Sequence, residues 1–283
     1  MNTTLAEKVV LAVAGDPEID ALLNDDDRPA ACRVELVADH EELLRRVTER
    51  AYDAILTDCR TRAEENVEWL RRIRDVRPDA KVIVMAAQGT AQTVIEAIRE
   101  DAFSYFTKPY DLNAVREMIA HAIGLPQWDD GIELLSALPR WITLRLRCRK
   151  LTAERLIQFC MELKIDLPAD ERENMGLAFR EMLMNAIEHG GKLNPKRWVE
   201  VAYLRTSRII GYRISDPGPG FSLSALAHAA VSNPPDDPTH YVRERDARGM
   251  RPGGLGLLLA SRLVDELIHN EQGNEVLLIK YLT

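Results

Sequence analysis

The sequence predicts an α/β fold in two consecutive domains, the first built on a doubly wound parallel sheet. With 283 residues, the chain is long enough for two domains of about 150 residues each. Short apolar runs alternate with amphipathic segments through the first half, as expected of repeated β/α units. The second half combines strand patterns, helical segments and three clusters rich in Asp, Asn or Gly. We expect a first domain at 1–124, a linker at 125–138 and a second domain at 139–283.

The composition is that of an ordinary globular protein, with 46% hydrophobic and 29% charged residues. No apolar run approaches the ~20 residues that a membrane helix needs, and no signal segment begins the chain. The absence of such a run predicts no membrane contact. The net charge of −8, without a dedicated basic surface, argues against nucleic acid as a partner. The cysteines lack metal-ligand spacing, which predicts reduced thiols and a cytoplasmic location. They are Cys32, Cys59, Cys148 and Cys160.

Five buried-strand patterns follow one another through the first half. They cover residues 9–13, 34–37, 54–57, 82–85 and 103–106. Helical patterns follow the second to fifth of these strands, over residues 41–51, 67–76, 90–100 and 112–123. This order is typical of a parallel sheet, because each returning strand needs a crossover connection. Chemistry in such a fold lies in the loops at the carboxyl ends of the strands.

Two of these strand ends carry a recognisable set of residues. Asp58 ends the third strand, and Lys108-Pro109 follows the fifth strand shortly after Tyr105. With these residues the segment 7–124 resembles the response-regulator receiver domains. The resemblance implies that Asp58 accepts a phosphoryl group, that Lys108 contacts this group and that Tyr105 changes rotamer. It also implies a cis peptide bond between Lys108 and Pro109.

The first half departs from the receiver family at its metal site. Ala14 and Gly15 stand where the family has two carboxylates for Mg²⁺, and Ala86 stands where it has Thr or Ser. Mg²⁺ needs several oxygen ligands, so phosphoryl transfer is poorly supported here unless Asp16 substitutes. Two interpretations stay open: Asp58 is a phosphorylated switch for the second domain, or it is a remnant in a docking or dimer surface. We favour the second.

The second half is predicted to hold strands, helices and a closing hairpin. The linker would contain one short helix, from Ile132 to Ala137. Strands are predicted at 141–148, 198–204 and 208–215, and the hairpin at 267–270 and 276–282. Further helices are predicted from a Thr152 cap to Lys164, at 170–188 and at 255–266.

Two motifs on this frame carry polar groups suited to a nucleotide. Glu181 and Asn185 lie four residues apart on a helix and so face the same side. A carboxylate and an amide oxygen there can hold Mg²⁺ or its water between phosphates. The second motif, Asp216 with Gly218 and Gly220, follows a strand. Its carboxylate can accept a hydrogen bond from an adenine amino group, and its glycines allow close backbone approach.

A third motif, Gly253-Gly254-Leu255-Gly256, opens a helix, and a helix N-terminus is a ready phosphate site. Taken singly, the motifs also fit a solvated helix residue, a plain turn and a helix cap. Their joint occurrence in this order is far more specific. On these motifs the segment 139–283 resembles the Bergerat-fold ATPases, α/β-sandwich domains that include histidine kinases, gyrase, Hsp90 and the anti-sigma-factor serine kinases.

The Bergerat resemblance implies ATP and Mg²⁺ as cofactors. Asn185 would ligate Mg²⁺, Asp216 would read adenine, and Glu181 would be the general base or orient the nucleophile. The other nucleotide-binding residues that it implies are His189, Gly218, Gly220, Gly254 and Gly256. Separately, the long stretch at 222–252 indicates a lid over the site, whose arginines could reach the phosphates. These are Arg243, Arg245, Arg248 and Arg251.

Among these ATPases, histidine kinases place a helical pair with a phosphoacceptor His before the ATP-binding domain, and the linker here is too short for it. The large transducer domains of gyrase and Hsp90 are not recognised. The strand at 141–148 and the helix after it, through Leu156, Phe159, Cys160 and Leu163, resemble the small anti-sigma-factor serine kinases. This resemblance implies a serine/threonine kinase whose protein partner is a sigma factor, a phosphorylated antagonist or another signalling protein. Two alternatives stay open: a nucleotide-gated binding module, and a phosphorylation-dependent response regulator with an ATPase output. Receiver domains and Bergerat-fold proteins often dimerise, so a homodimer is open as well.

Overall fold

A computed structural model of the chain describes residues 7–24, 32–57, 60, 62–126, 128–138, 140–163, 167–220, 237, 239–240, 243, 247 and 255–282. The chain divides into two compact units. The first is Met1–Asp130 with Gln158–Lys164, and the second is Gly131–Ile157 with Ile165–Thr283. None of the helices within the described ranges is long and apolar enough to cross a membrane.

The first unit is built on a five-stranded sheet flanked by helices. Its strands are β1 (Lys8–Val13), β2 (Cys32–Val37), β3 (Ala54–Leu56), β4 (Val82–Ala86) and β5 (Ser104–Thr107). Its helices are α1 (Pro17–Asn24), α2 (His40–Glu49), α3 (Ala63–Val76), α4 (Ala91–Arg99) and α5 (Leu112–Gly124). The strand order is β2-β1-β3-β4-β5, and all neighbouring strands are parallel. The doubly wound parallel sheet predicted from the alternating pattern is therefore confirmed.

Helix α1 was missing from the sequence prediction. It begins at Pro17, whose fixed φ suits the first position of a helix. The Asp16 carboxylate accepts hydrogen bonds from the backbone N–H groups of Glu18 and Ile19, at 2.9 and 3.2 Å. Asp16 therefore acts as the N-cap of this eight-residue helix.

The second unit is built on a six-stranded antiparallel sheet. Its strands are β6 (Ile132–Leu138), β7 (Trp141–Arg147), β8 (Trp198–Arg205), β9 (Ile209–Ser215), β10 (Glu266–His269) and β11 (Glu275–Tyr281). The strand order is β10-β11-β9-β8-β7-β6, and every neighbouring pair is antiparallel. Its helical segments are α6 (Lys150–Glu162), which ends in the first unit, α7 (Ala169–Asn185), a π-helical turn (Ala186–Gly190) and α8 (Gly256–Leu263).

The helix predicted from Ile132 to Ala137 is wrong, since these residues form strand β6. They pair with β7, from Ile132 opposite Leu146 to Leu138 opposite Trp141. The register shifts between Leu134 and Ser136, where a bulge breaks the strict alternation of a strand. Because the bulge interrupts the alternation, the apolar residues of this strand recur at a spacing that also suits a helix. The segment predicted as a linker thus ends in a strand of the second sheet.

Three other helix predictions need smaller corrections. Thr152 is buried in the first turn of α6 and is not its cap. The helix predicted at 170–188 leaves α-helical geometry after Asn185 and continues as the π-helical turn. The last helix ends at Leu263, three residues short of the prediction, because the chain from Glu266 pairs with β11 instead. The predicted closing hairpin is confirmed as β10 and β11.

Candidate nucleotide site

Helix α7 brings two of the predicted site residues to the start of α8. Its apolar positions recur at helical spacing and are buried, with the Phe179 ring 4.5 Å from that of Tyr212 on β9. Glu181 and Asn185 lie one turn apart on α7 and are partly exposed. A Cβ built on Gly256, the first residue of α8, would lie 2.5 Å from Glu181 Oε2 and 3.6 Å from Asn185 Nδ2. Glu181, Asn185 and Gly256 therefore form one cluster.

The turn after Asn185 is a π-helix, a geometry that is rare and often found at functional sites. The N–H of Gly191 donates to the carbonyl of Ala186 at 2.7 Å, which closes the wide turn. A Cβ built on Gly190 would lie 2.6 Å from the Cβ of Asp216, and one on Gly191 would lie 2.8 Å from the Cβ of Cys148. The two glycines thus let the backbone pass between Asp216 and the end of β7.

Asp216 follows β9 and lies against this turn. Its Oδ1 accepts a hydrogen bond from the Gly218 N–H at 2.7 Å, while a Cβ on Gly218 would lie 2.9 Å from the Cα of Gly190. Burial raises the pKa of the Asp216 carboxyl above its usual range, against the Gly218 hydrogen bond and the charge of Lys192, which lower it. The carboxylate is therefore held in a half-buried cradle formed by two glycines.

The hairpin of β10 and β11 fixes the backbone of this loop. The N–H of Asp216 donates to the carbonyl of Asn274 at 2.9 Å. Gly220 has a φ of 78°, which favours glycine, and a Cβ there would lie 2.7 Å from the carbonyl carbon of Gln272. Both glycines of the Asp216 motif are thus required by close contacts, Gly218 by the Gly190 backbone and Gly220 by the hairpin.

The structure describes only some of the remaining residues that were predicted to bind the nucleotide. His189 lies in the π-helical turn and is exposed. Gly254 lies outside the described residues, as does most of the predicted lid. Arg243 is described, and it forms an ion pair with Asp237. The other predicted lid arginines, Arg245, Arg248 and Arg251, lie outside the described residues.

Sequence reasoning missed three residues beside the site: Cys148, Gly191 and Lys192. Cys148 is fully buried, and burial, together with the nearby Asp216, raises the pKa of its thiol to about 11. Lys192 has a φ of 57°, uncommon for a residue with a side chain. The doubled Gly190-Gly191 before Lys192 was the available sequence signal, since neighbouring glycines mark close backbone approaches.

In the first unit, Tyr105 lies on strand β5 and Lys108 directly follows it. Asp58 lies outside the described residues. Lys108 forms an ion pair with Asp16, and the peptide bond from Lys108 to Pro109 is cis, as the receiver resemblance implies. Tyr105 is fully buried, and its hydroxyl lies 3.1 Å from Thr93 Oγ1.

Each of the two units matches a known domain family. Residues 146–280 match the histidine kinase-like ATPase domain family, and residues 10–120 match the response regulator receiver domain family. Over 118 residues the chain is 31% identical to the DNA-binding transcriptional regulator NtrC of Bradyrhizobium sp. (strain RP501 Parasponia), covering 42% of this chain and 25% of that protein. Over 89 residues it is 34% identical to the response regulator protein PilR of Pseudomonas aeruginosa, covering 31% of this chain and 19% of the relative.

The chain thus spans about a quarter or less of the length of these relatives. Among solved structures, the receiver domain of sensor histidine kinase PA1611 from Pseudomonas aeruginosa PAO1 is 25% identical. The match covers 42% of this chain and all of that domain, with a TM-score of 0.35. Together the two domain types indicate a protein of bacterial two-component-type signalling. The chain combines a response regulator receiver domain at residues 10–120 with a histidine kinase-like ATPase domain at residues 146–280.

Proposed function

We propose that the ATPase domain binds Mg-ATP and phosphorylates a serine or threonine of a protein partner, under the control of the receiver domain. The observation that carries this proposal is the Asp216 carboxylate, held in a half-buried cradle between Gly190 and Gly218. A buried acid without a specific purpose is costly, because burial disfavours its charged form. We infer that Asp216 occupies this position, despite the free-energy cost of burial, because its carboxylate recognises a ligand.

The cradle fits the adenine end of a nucleotide. Asp216 Oδ1 is held by the Gly218 N–H, which leaves the orientation of the whole carboxylate fixed. Its other oxygen is suited to accept a hydrogen bond from an exocyclic amino group. Gly190 and Gly218 let the backbone lie directly against the carboxylate, where any larger residue would displace it.

The cluster of Glu181, Asn185 and Gly256 fits the phosphate end. Asn185 offers an amide oxygen to Mg²⁺, and the N-terminus of α8 offers backbone N–H groups to phosphate oxygens. When bound, Mg-ATP supplies the γ-phosphoryl group and neutralises the charge that develops during its transfer. Glu181 would accept the proton of the partner's hydroxyl as that oxygen forms the new bond to phosphorus, and ADP would leave.

The short connection before the ATPase domain supports an external acceptor. Helix α5 ends at Gly124 and β6 begins at Ile132, so only residues 125–131 join them. This segment cannot hold a helical pair bearing a phosphoacceptor histidine. A hydroxyl of a separate protein, of the sigma-factor antagonist type, is therefore the acceptor we propose.

The direct test is capture from the source lysate with Mg-ATP-loaded protein, followed by identification of bound proteins and their phosphosites. The matched control is Asn185→Ala, which removes one metal ligand from α7. A small protein phosphorylated on Ser or Thr only by the parent protein would support the kinase. A partner retained without a phosphosite would contradict phosphotransfer and favour a nucleotide-gated binding module.

A further inference from the structure

An arginine lies at the end of β1, where the receiver resemblance places a metal ion. Arg60, between β3 and α3, donates from Nη2 to the carbonyl of Ala14 at 2.9 Å. A Cβ built on Gly15 would lie 2.6 Å from Arg60 Cζ. The guanidinium therefore occupies the space that the Cβ of an acidic residue at position 15 would need. We propose that the Arg60 guanidinium replaces Mg²⁺ in this receiver domain, which therefore neither binds the metal nor takes up a phosphoryl group.

The groups at the end of β1 do not fit Mg²⁺. The ion needs several oxygen ligands in near-octahedral order, and neither Ala14 nor Gly15 has a side-chain oxygen. The Ala14 carbonyl, a main-chain oxygen at this strand end, accepts from Arg60 instead. A divalent cation beside the guanidinium would also meet charge repulsion. Gly15 has a φ of 120°, so most side chains would be strained there even without Arg60.

The nearby acid, Asp16, is already engaged on both of its oxygens. Oδ1 caps α1 through the N–H groups of Glu18 and Ile19, and Oδ2 forms an ion pair with Lys108. Asp16 is only 5% exposed. Substitution of Asp16 for the missing metal ligands would therefore cost a helix cap and an ion pair whose acidic partner is buried. Lys108, which the resemblance assigns to the phosphoryl group, is bound to Asp16.

Tyr105, the residue expected to change rotamer, is held by close contacts on two sides. Its ring is fully buried, and its hydroxyl lies 3.1 Å from Thr93 Oγ1 at the start of α4. A Cβ built on Gly89 would lie 2.9 Å from that hydroxyl, so the loop between β4 and α4 closes tightly over the ring. A rotamer change of Tyr105 would therefore break its contact with Thr93 and open the tight packing at Gly89.

The test uses the full-length protein without nucleotide and with Asn185→Ala, so that the ATPase domain lacks one metal ligand. Free Mn²⁺ is titrated by electron paramagnetic resonance, and phosphoryl uptake from acetyl phosphate with Mg²⁺ is followed by mass spectrometry. Two double variants are made in the Asn185→Ala background. Both carry Ala14→Asp, which restores one carboxylate; one also carries Arg60→Ala and the other Arg62→Ala. Arg62 lies in the same loop and pairs with Glu65, so its loss is the matched control for charge.

We expect no phosphoryl uptake and no Mn²⁺ bound through Asp58 in the background protein. The Arg60 double variant should bind Mn²⁺ about tenfold more tightly than the Arg62 double variant, because only it vacates the metal position. Mn²⁺ binding or phosphoryl uptake that Asp58→Asn removes from the background protein would overturn the proposal. Equal Mn²⁺ affinity of the two double variants would also overturn it, since Arg60 would then not occupy the site.

Discussion

Gly190 lies so close to Asp216 that a methyl group at position 190 would lie 2.6 Å from the Asp216 Cβ. This contact joins the end of the π-helical turn to the loop after β9. It places the predicted adenine-reading carboxylate against bare backbone. The relationship shapes the candidate nucleotide site, and it makes this part of the fold sensitive to the smallest added side chain.

Gly190→Ala should therefore displace the Asp216 carboxylate and weaken ATP binding. We expect about tenfold or greater loss, the scale of a lost hydrogen bond to a charged group. The measurement is calorimetric titration with Mg-ATP. Gly211→Ala, on strand β9 of the same unit, is the control, because its Cβ would first meet an atom at an ordinary 3.4 Å. Unchanged affinity in Gly190→Ala would contradict the placement of Asp216.

Glu181→Gln should separate catalysis from binding. The amide keeps the size of the side chain beside Gly256 but cannot accept the proton of an attacking hydroxyl. We expect phosphotransfer to the captured partner to fall by about 10²-fold or more, with ATP affinity changed little. Transfer of labelled γ-phosphate measures the first quantity and calorimetry the second. Full phosphotransfer in this variant would remove Glu181 from the proposed catalytic role.

The stability of the protein without nucleotide should depend on the charge of Asp216. Its carboxyl pKa is raised by burial, so the folded protein holds this proton to a higher pH than the unfolded chain does. Ionisation above the raised pKa therefore costs stability, and Asp216→Asn should raise the thermal midpoint near neutral pH. This advantage should shrink as the pH falls through the raised pKa. A midpoint lowered by the substitution at neutral pH would contradict the burial cost.

Cys148 should resist alkylation in the folded protein. Its thiol is fully buried behind Gly191, and its pKa is about 11, so only about one thiol in a thousand is ionised at pH 8. Mass spectrometry after iodoacetamide treatment checks this, with protein unfolded in guanidinium chloride as the reactive reference. Labelling of native Cys148 at the unfolded rate would show that the contact between Gly191 and Cys148 is open.

Local sequence pattern predicted the elements whose pattern is undisturbed. Strands β1, β3 and β4 contain continuous apolar runs, because both faces of the sheet are covered there. Strand β6 was mistaken for a helix because the bulge between Leu134 and Ser136 breaks its alternation. Helix α1 was missed although Asp16-Pro17 is a start signal, since the segment is short.

Motif order selected the residues of the candidate nucleotide site, which stay a prediction, and it could not predict their contacts. The i, i+4 spacing alone placed Glu181 and Asn185 on one face of α7. By contrast, the neighbourhood of Cys148, Gly191 and Asp216 joins three segments that are distant in sequence. The Arg60 guanidinium at Gly15 is a tertiary contact of the same kind, and no periodicity signals it.

The central claim, that Asp216 anchors ATP, is tested most directly by calorimetric titration of the full-length protein and of Asp216→Asn with Mg-ATP. The asparagine can still accept from the Gly218 N–H, but it then turns its own N–H₂ group toward the adenine amino group. We expect the parent to bind ATP and the variant to bind it at least about tenfold more weakly, with the fold intact. Equal affinity for ATP in the two proteins would contradict the claim.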